Sequence, residues 1–404
     1  MNGGKPEKNA NIELHRQQTG DHVMHQRDMG ARAKFRASNR TLILMAVAFF
    51  LLLLFSVSLF VVVSPDRLYL SYILEISSRK LRNFLNYISG RGAEGSIQFT
   101  INRSLIASLA GATLAAVGVS YQAVLRNALA APTTMGVQAG GMIGNIIYVI
   151  FFLDMQGTSI RFSEVVAQLE QSTVFERSIQ QLLVIAGCFA VVFISFGILI
   201  FVGRGNVSSS HLIVTGTLFS MLSIEGVMVA QYYVLGSPYG DVKSQILMDF
   251  QLGSFNRAFT GEHLAFMAVL ILPCIAVLVL LAGRMDFFIF GGETAASMGV
   301  NVRLFRIVVI AVGTLATSAV IAFCGNIAFV GIAVPNAARR IVGPGVKRLL
   351  VASMLLGAIL MLLVYDLAQL FSMTAYIGLF TNLVGALLLG FAFFKGRGVA
   401  RASG

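Results

Sequence analysis

Residues 102–125 read NRSLIASLAGATLAAVGVSYQAVL, and residues 126–140 continue RNALAAPTTMGVQAG. The first stretch carries one charge, Arg103, and is long enough to cross a bilayer as a helix, which takes about 20 apolar residues. Gly111, Ala115 and Gly118 recur at i, i+4 and i+7, giving that helix a smooth face on which another backbone can lie. Gly136, Gly140 and Gly144 place a double G-x-x-x-G on the next segment. Between the two, Arg126-Asn127 and Pro132 interrupt the apolar run, marking a turn at the inner edge of the membrane or just below its midplane. Helix, polar break, small-residue helix is the pattern of a tightly packed membrane bundle.

The rest of the chain extends this reading. Of 404 residues 56% are hydrophobic and 12% charged, against about 25% charged in an ordinary soluble domain. Forty glycines suit close helix packing in lipid. Apolar segments fall at 41–63, 102–125, 133–153, 179–202, 211–235, 263–283, 304–324, 327–342, 349–370 and 376–394, the eighth being short. The expected fold class is therefore an all-α polytopic membrane protein with about ten transmembrane helices. Pro273 and Pro335 are expected to kink the sixth and eighth. Two outer segments can hold helices, one at 68–88 in the plane of the interface and one around 244–252. Residues 1–40 form a polar, basic tail without the apolar core and cleavage site of a signal peptide. The expected division is a tail at 1–40, a ten-span membrane domain at 41–395 with an inner loop at 284–303, and a tail at 396–404.

Charge orients the bundle. With the amino terminus inside, twenty of the thirty basic residues fall on the cytoplasmic side, including Arg126, Arg204, Arg284, Arg303, Arg306, Arg339, Arg340, Lys347 and Arg348. Both termini then lie in the cytoplasm. The net charge of +12 is thus topological and faces anionic lipid, which removes the argument for nucleic acid. Trp is absent, so Tyr69, Tyr72, Tyr232, Tyr233, Tyr239 and Tyr376 serve as interfacial anchors. Cys188, Cys274 and Cys324 lie in apolar runs and read as small core residues. No cofactor or resident metal is indicated: His15, His22 and His25 are irregularly spaced in the tail, and no His/Cys/Asp cluster has metal spacing. No G-x-x-x-x-G-K-[ST] loop occurs, so the chain does not bind ATP by that route.

Two further blocks stand out. Gly291-Gly292-Glu293-Thr294-Ala295-Ala296-Ser297-Met298-Gly299 has a short helical core with glycine at each end, in an inner loop that a soluble partner can grip. Gly325-Asn326-Ile327-Ala328-Phe329-Val330-Gly331-Ile332-Ala333-Val334-Pro335-Asn336-Ala337-Ala338-Arg339 leads into a basic inner loop.

In order and spacing these blocks resemble the FecCD family, the vitamin-B12-permease type of ABC importer for iron-siderophores, haem and cobalamin. Members read R-L-P-R, then G-A-x-L-A-x-x-G-x-x-x-Q-x-x-x-R-N-P-L-A-x-P-x-x-L-G-V, later L-G-x-E-x-A-x-x-L-G-V and G-P-I-x-F-V-G-L-x-x-P-H-x-x-R. The similarity covers residues 100–395. It implies the type II ABC importer fold and a permease in the bacterial inner membrane that pairs with a copy of itself or a paralogue. Two ATPase subunits, carrying the ATP, would bind below and a substrate-binding protein outside. On this resemblance Gly292, Glu293, Ala295 and Gly299 couple to the ATPase, and Arg103 docks the binding protein. Gly111, Gly118, Gln122, Asn127, Pro132, Gly136 and Gly140 belong to the translocation pathway or the packing around it, and Pro335 and Arg339 are structural.

The departures from the pattern concern the same sites. Thr100 and Asn102 stand at the first Arg and the Pro of R-L-P-R, Ala128 at the Pro after Arg-Asn, and Asn326 and Asn336 at the Pro and His of the third block. Gln369 stands at the Arg of a D-x-x-A-R run. Docking outside is therefore expected to shift toward Arg79, Lys80, Arg82 or Arg91, or to a paralogous partner. The implied cargo is a ferric siderophore, with haem or cobalamin as alternatives. An ion-coupled secondary transporter is the rival reading. It needs intramembrane carboxylates, for which Glu225 and Asp366 alone qualify.

Overall fold

The computed structural model describes residues 43, 45–50, 94–152, 174–202, 209–237, 240–255, 261–371, 376–387 and 390. The tail 1–40, most of 41–63, the outer stretch 68–88 with Arg79, Lys80, Arg82 and Arg91, the loop 154–173 and the end 396–404 lie outside them. Two units separate, Met1–Val47 and Ala48–Gly404. In the first, the described residues 43 and 45–47 are helical. The helices from residue 94 onward all belong to the second.

Among the described residues every regular element is helical. The elements are α1 (Glu94–Leu125), α2 (Val137–Ile147, continued by a π turn Tyr148–Phe152), α3 (Val174–Val202), α4 (Ser209–Leu235) and α5 (Gly240–Leu252). The chain continues through α6 (Gly261–Met285), a 3-10 turn (Asp286–Phe290), α7 (Gly292–Ser297), α8 (Val302–Cys324), α9 (Val330–Val342) and α10 (Val346–Leu370). α11 (Ile377–Leu387) closes the described part. Among the described residues five helices are long and apolar enough to span a bilayer: those at Ile101–Leu125, Ile213–Leu235, Gly261–Phe288, Val302–Cys324 and Val346–Gln369. The helix expected around 244–252 is α5, and α6 runs through Pro273.

The eighth apolar segment differs from a simple span. α9 has 13 residues, about 20 Å of helix, too short for about 30 Å of hydrocarbon. It starts at Phe329, whose φ of 64° belongs to the left-handed region, and is preceded by the extended connector 325–328. α2 is likewise short and starts at Gly136 with φ 80°. The two starts meet, because Gln138 of α2 donates to the carbonyl of Ile327. Irregular backbone at membrane depth is tolerated only where protein encloses it. Ala130, Ala131, Pro132 and Ile327 are all buried.

α1 is the central helix. Within its apolar window 83% of the residues are buried inside the protein. It packs on α6, α8, α9 and α10, while α2 packs on α3 and α4. Glycine makes these approaches possible. A Cβ at Gly111 would collide with the backbone of Gly357 in α10, and one at Gly140 with the backbone of Gly187 in α3. Cys188, Cys274 and Cys324 are buried thiols, none of them in a disulfide.

Candidate functional site

Two of the marked blocks converge with α9 at the inner end of α1. α1 ends at Leu125, and Arg126 turns the chain with φ 51°. Asn127 closes the turn: its Oδ1 accepts from the Leu129 amide at 2.9 Å and its carbonyl from the Ala130 amide at 3.1 Å. This is the local bonding that makes Asn a turn former. The Thr134 hydroxyl then accepts from the Ala131 amide and donates to the carbonyls of Leu129 and Ala131, each at 3.0 Å. Segment 127–136 folds back along the last two turns of α1. Pro132 lies beside Gly331 of α9, and Gly331 faces Gly118, seven residues or about 10 Å above the end of α1. Gly136 opens α2 against Val191 of α3 and Gly216 of α4.

Polar side chains lock this arrangement. Arg339, in the last turn of α9, donates through Nη2 to Gln122 Oε1 at 2.8 Å and through Nη1 to Asn336 Oδ1 at 3.2 Å. Asn336 Nδ2 donates to the carbonyls of Ala128 at 3.0 Å and Ile332 at 2.8 Å. α1, the turn and α9 therefore form one hydrogen-bonded unit. Pro335, buried in α9, has no N–H for the carbonyl of Gly331, and that carbonyl lies against Gly118.

The inner loop stands next to this unit. Gly292 and Glu293 open α7. Ala295 is buried, its amide donating to the Gly291 carbonyl at 3.0 Å and its carbonyl accepting from Val300 at 3.1 Å. Gly299 has φ 81° and its amide caps the Ala296 carbonyl at 2.9 Å. Ala296, Ser297, Met298 and Gly299 are exposed. Three contacts hold the loop from behind. Asp286 Oδ1 accepts from the Val346 amide at 2.7 Å, fixing the start of α10. Phe288 stacks on Phe305 of α8 at 5.2 Å. The turn Asp286–Phe290 also packs on α1. α7 is thus a short exposed grip whose base is tied to α1, α8 and α10.

The marked residues do not all gather here. Gly111 and Gly140 sit at helix crossings farther along the bundle. Arg103 lies near the start of α1, half-buried, with its guanidinium on Tyr365 of α10. Gln369 Nε2 donates to the same Tyr365 hydroxyl at 2.7 Å, and Asp366 is buried beside it. Reasoning on the sequence missed Asn336 as the bridge to the turn and Asp286 as a cap. Each partner lies far along the chain, so no local spacing announces them.

A solved structure captured in an inward-facing conformation and assigned to the metal-chelate type of ABC transporter has the same fold. It superposes with a TM-score of 0.67 at 24% identity, covering 88% of this chain and 99% of that one. Among curated relatives, the Fe(3+)-citrate import system permease of Bacillus subtilis is 27% identical over 273 residues, 67% of this chain and 73% of that one. The molybdate import system permease of Haemophilus influenzae is 29% identical over 302 residues, 74% and 80% respectively. The model of the FecCD transport family matches residues 50–395. The chain belongs to the FecCD transport family and is a multi-pass ABC importer permease.

Proposed function

We propose that this permease carries ferric-siderophore complexes across the bacterial cytoplasmic membrane, working as a pair of permeases above two ATPase subunits that bind the ATP. The observation that carries the reading is the packing of the loop around α7 on the bundle. The turn Asp286–Phe290, which leads into α7, packs on α1, and α7 itself packs on that turn and on α8. A push on α7 therefore reaches the core of the bundle. Gly292, Glu293 and Gly299 belong to the ATPase contact, with Ala295 buried behind them where it seats the helix, and a binding protein delivers cargo at the opposite end, where Arg103 lies. The permease proper spans 41–395, between cytoplasmic tails at 1–40 and 396–404.

Iron chelate as cargo is supported by the ferric-citrate relative, while the molybdate relative argues for a wider range of metal complexes. The test has two arms. Replacing Glu293 by Ala in the assembled transporter is expected to cut uptake and permease-stimulated ATP hydrolysis together, about tenfold or more, with the amount of permease in the membrane unchanged. Unaltered uptake would sink the coupling role. Uptake of labelled ferric siderophores, haem, cobalamin and molybdate in a deletion strain identifies the cargo.

A further inference from the structure

Tyr121, one residue before Gln122 on α1, is fully buried against α8. Its hydroxyl donates to the carbonyl of Ile310 at 2.9 Å. The Thr314 hydroxyl lies 3.1 Å from the same oxygen. With the tyrosine proton committed to Ile310, Thr314 is the donor in that second bond. The ring enters a notch at Gly313, where a Cβ would collide with it. The seat is thus a carbonyl, a small residue three positions on and a hydroxyl four positions on. One turn of α1 thereby holds two helices, α8 through Tyr121 and α9 through Gln122.

The same constellation recurs three residues further along α8. The carbonyl of Gly313, the small residue Ala316 and the hydroxyl of Thr317 repeat Ile310, Gly313 and Thr314. Residues at i and i+3 share a helix face. Ala316 and Thr317 are fully buried, yet Thr317 Oγ1 has no hydrogen-bond partner among the described residues. A buried hydroxyl without a partner is costly, and packing alone is served better by valine. The cost is accounted for if the hydroxyl is used in another register. The first seat can also be left without stranding its own groups. Thr314 can turn its proton to the Ile310 carbonyl four residues back, the bond that Ser108 and Ser120 make within α1.

Resting on the proposed grip of the ATPase on α7, we propose that Tyr121 is a positioning residue that latches α8 to α1 in two registers: on Ile310 and Thr314 as observed, and on Gly313 and Thr317 when α7 is drawn inward. α8 starts at Val302, with four residues between it and the end of α7 at Ser297. Its first turn is capped by Asn301 Oδ1, which accepts from the Leu304 amide at 3.1 Å. α7 also packs on α8, so the two move together. Bringing Thr317 to Tyr121 requires α8 to slide toward its own first residue, and so toward α7, by about 4.5 Å, three residues of rise. That is the direction of a pull on α7. Steps of one turn between packed helices are discrete, because side chains fit only in register. The Ala316 methyl stands where Gly313 has none, so the second seat is shallower and the first is the resting one.

Thr317→Val separates this latch from a structural contact, because the hydroxyl it removes makes no bond in the observed register. Its thermal unfolding in detergent is expected at an unchanged or higher temperature. In the transporter assembled with its ATPase subunits in vesicles, permease-stimulated ATP hydrolysis is nevertheless expected to fall about fivefold, the worth of one hydrogen bond. Thr317→Ser keeps the hydroxyl and should retain the activity. Tyr121→Phe keeps the ring in its notch and should lose as much as Thr317→Val, with the double variant no worse than either. Unchanged hydrolysis in Thr317→Val, or losses that multiply in the double variant, overturns the latch. Spin labels at Leu304→Cys, near the start of α8, and Leu367→Cys, near the far end of α10, report the register directly; both positions are exposed and the native cysteines are buried. Their separation should lengthen by about 4 Å when the assembled transporter is trapped with ATP and vanadate, and stay constant in Thr317→Val. A constant separation without that substitution also overturns the latch. Glu293→Ala is measured alongside. Hydrolysis lowered in Glu293→Ala and not in Thr317→Val removes the latch and leaves the α7 reading; the reverse removes Glu293 from the coupling and supports the latch.

Discussion

At the scale of single residues, the bond from Arg339 to Gln122 is the one whose loss is easiest to read. Gln122 is buried, and its Nε2 is already without a hydrogen-bond partner. Its Oε1 depends on Arg339. Arg339→Leu would leave the whole amide unsatisfied, at a cost of about 1–3 kcal/mol. Gln122→Leu on top of it removes the stranded group, so the double variant should be more stable than Arg339→Leu alone. Thermal unfolding in detergent gives the order, and equal midpoints for the single and double variants would show that the pair carries no buried penalty. Gly118 sits one level deeper. There a side chain would meet only backbone of Gly331, which cannot swing aside as a side chain can. The two positions are coupled, since both hold α9 on α1.

At the scale of elements, α7 was legible in the sequence, and α9 was legible as a short eighth segment but not in its starting point. The run from Gly291 to Gly299 states its own limits, because glycine at each end marks a short helix, and the helix forms at Gly292–Ser297. Gly299 shows how the limit works. It has φ 81° and nothing within 4 Å of a Cβ placed there, so a substitution is penalised through backbone conformation and not through space. Gly299→Asn, which tolerates the left-handed region, should retain uptake; Gly299→Val should lose roughly 1 kcal/mol or more locally and lower uptake and ATPase stimulation together. Equal uptake by the two variants would show that the cap geometry is irrelevant to coupling. α9 was harder because hydropathy reports apolar length and not where a helix starts. Ile327 and Ala328 are as apolar as the first turn of α9, yet they are drawn out of the helix by Gln138 and by the turn at Phe329. That contact joins residues 189 positions apart. The crossings at Gly111 and Gly140 were legible as small-residue faces, but their partners Gly357 and Gly187 could be named only from the fold. Arg103 is the clearest divergence in environment. Its sequence position suggests an open outer cation, and its guanidinium instead meets Tyr365.

At the scale of the whole molecule, the distribution of charge and the distribution of contacts divide the bundle into the same two ends. Arg126, Arg306, Arg339, Lys347 and Asp286 all lie around the contacts that join the end of α1, the α7 loop and the start of α10. Arg103, Tyr365 and Gln369 gather where α1 begins and α10 ends. Since α1 runs from one cluster to the other, the two clusters lie toward opposite ends of an apolar helix, and the excess of basic residues makes the α7 end the proposed cytoplasmic one. The buried state of the three native cysteines makes this directly measurable without a cysteine-free background. A membrane-impermeant maleimide should leave the natural protein unlabelled from either side. Met298→Cys, exposed beside α7, should label in inside-out vesicles and not in intact cells. Tyr232→Cys, at the far end of α4 and 83% exposed, should show the reverse. Labelling of Met298→Cys from outside intact cells would invert the bundle. It would also move α7 away from any cytoplasmic ATPase, so the same measurement bears on both the orientation and the coupling that depends on it.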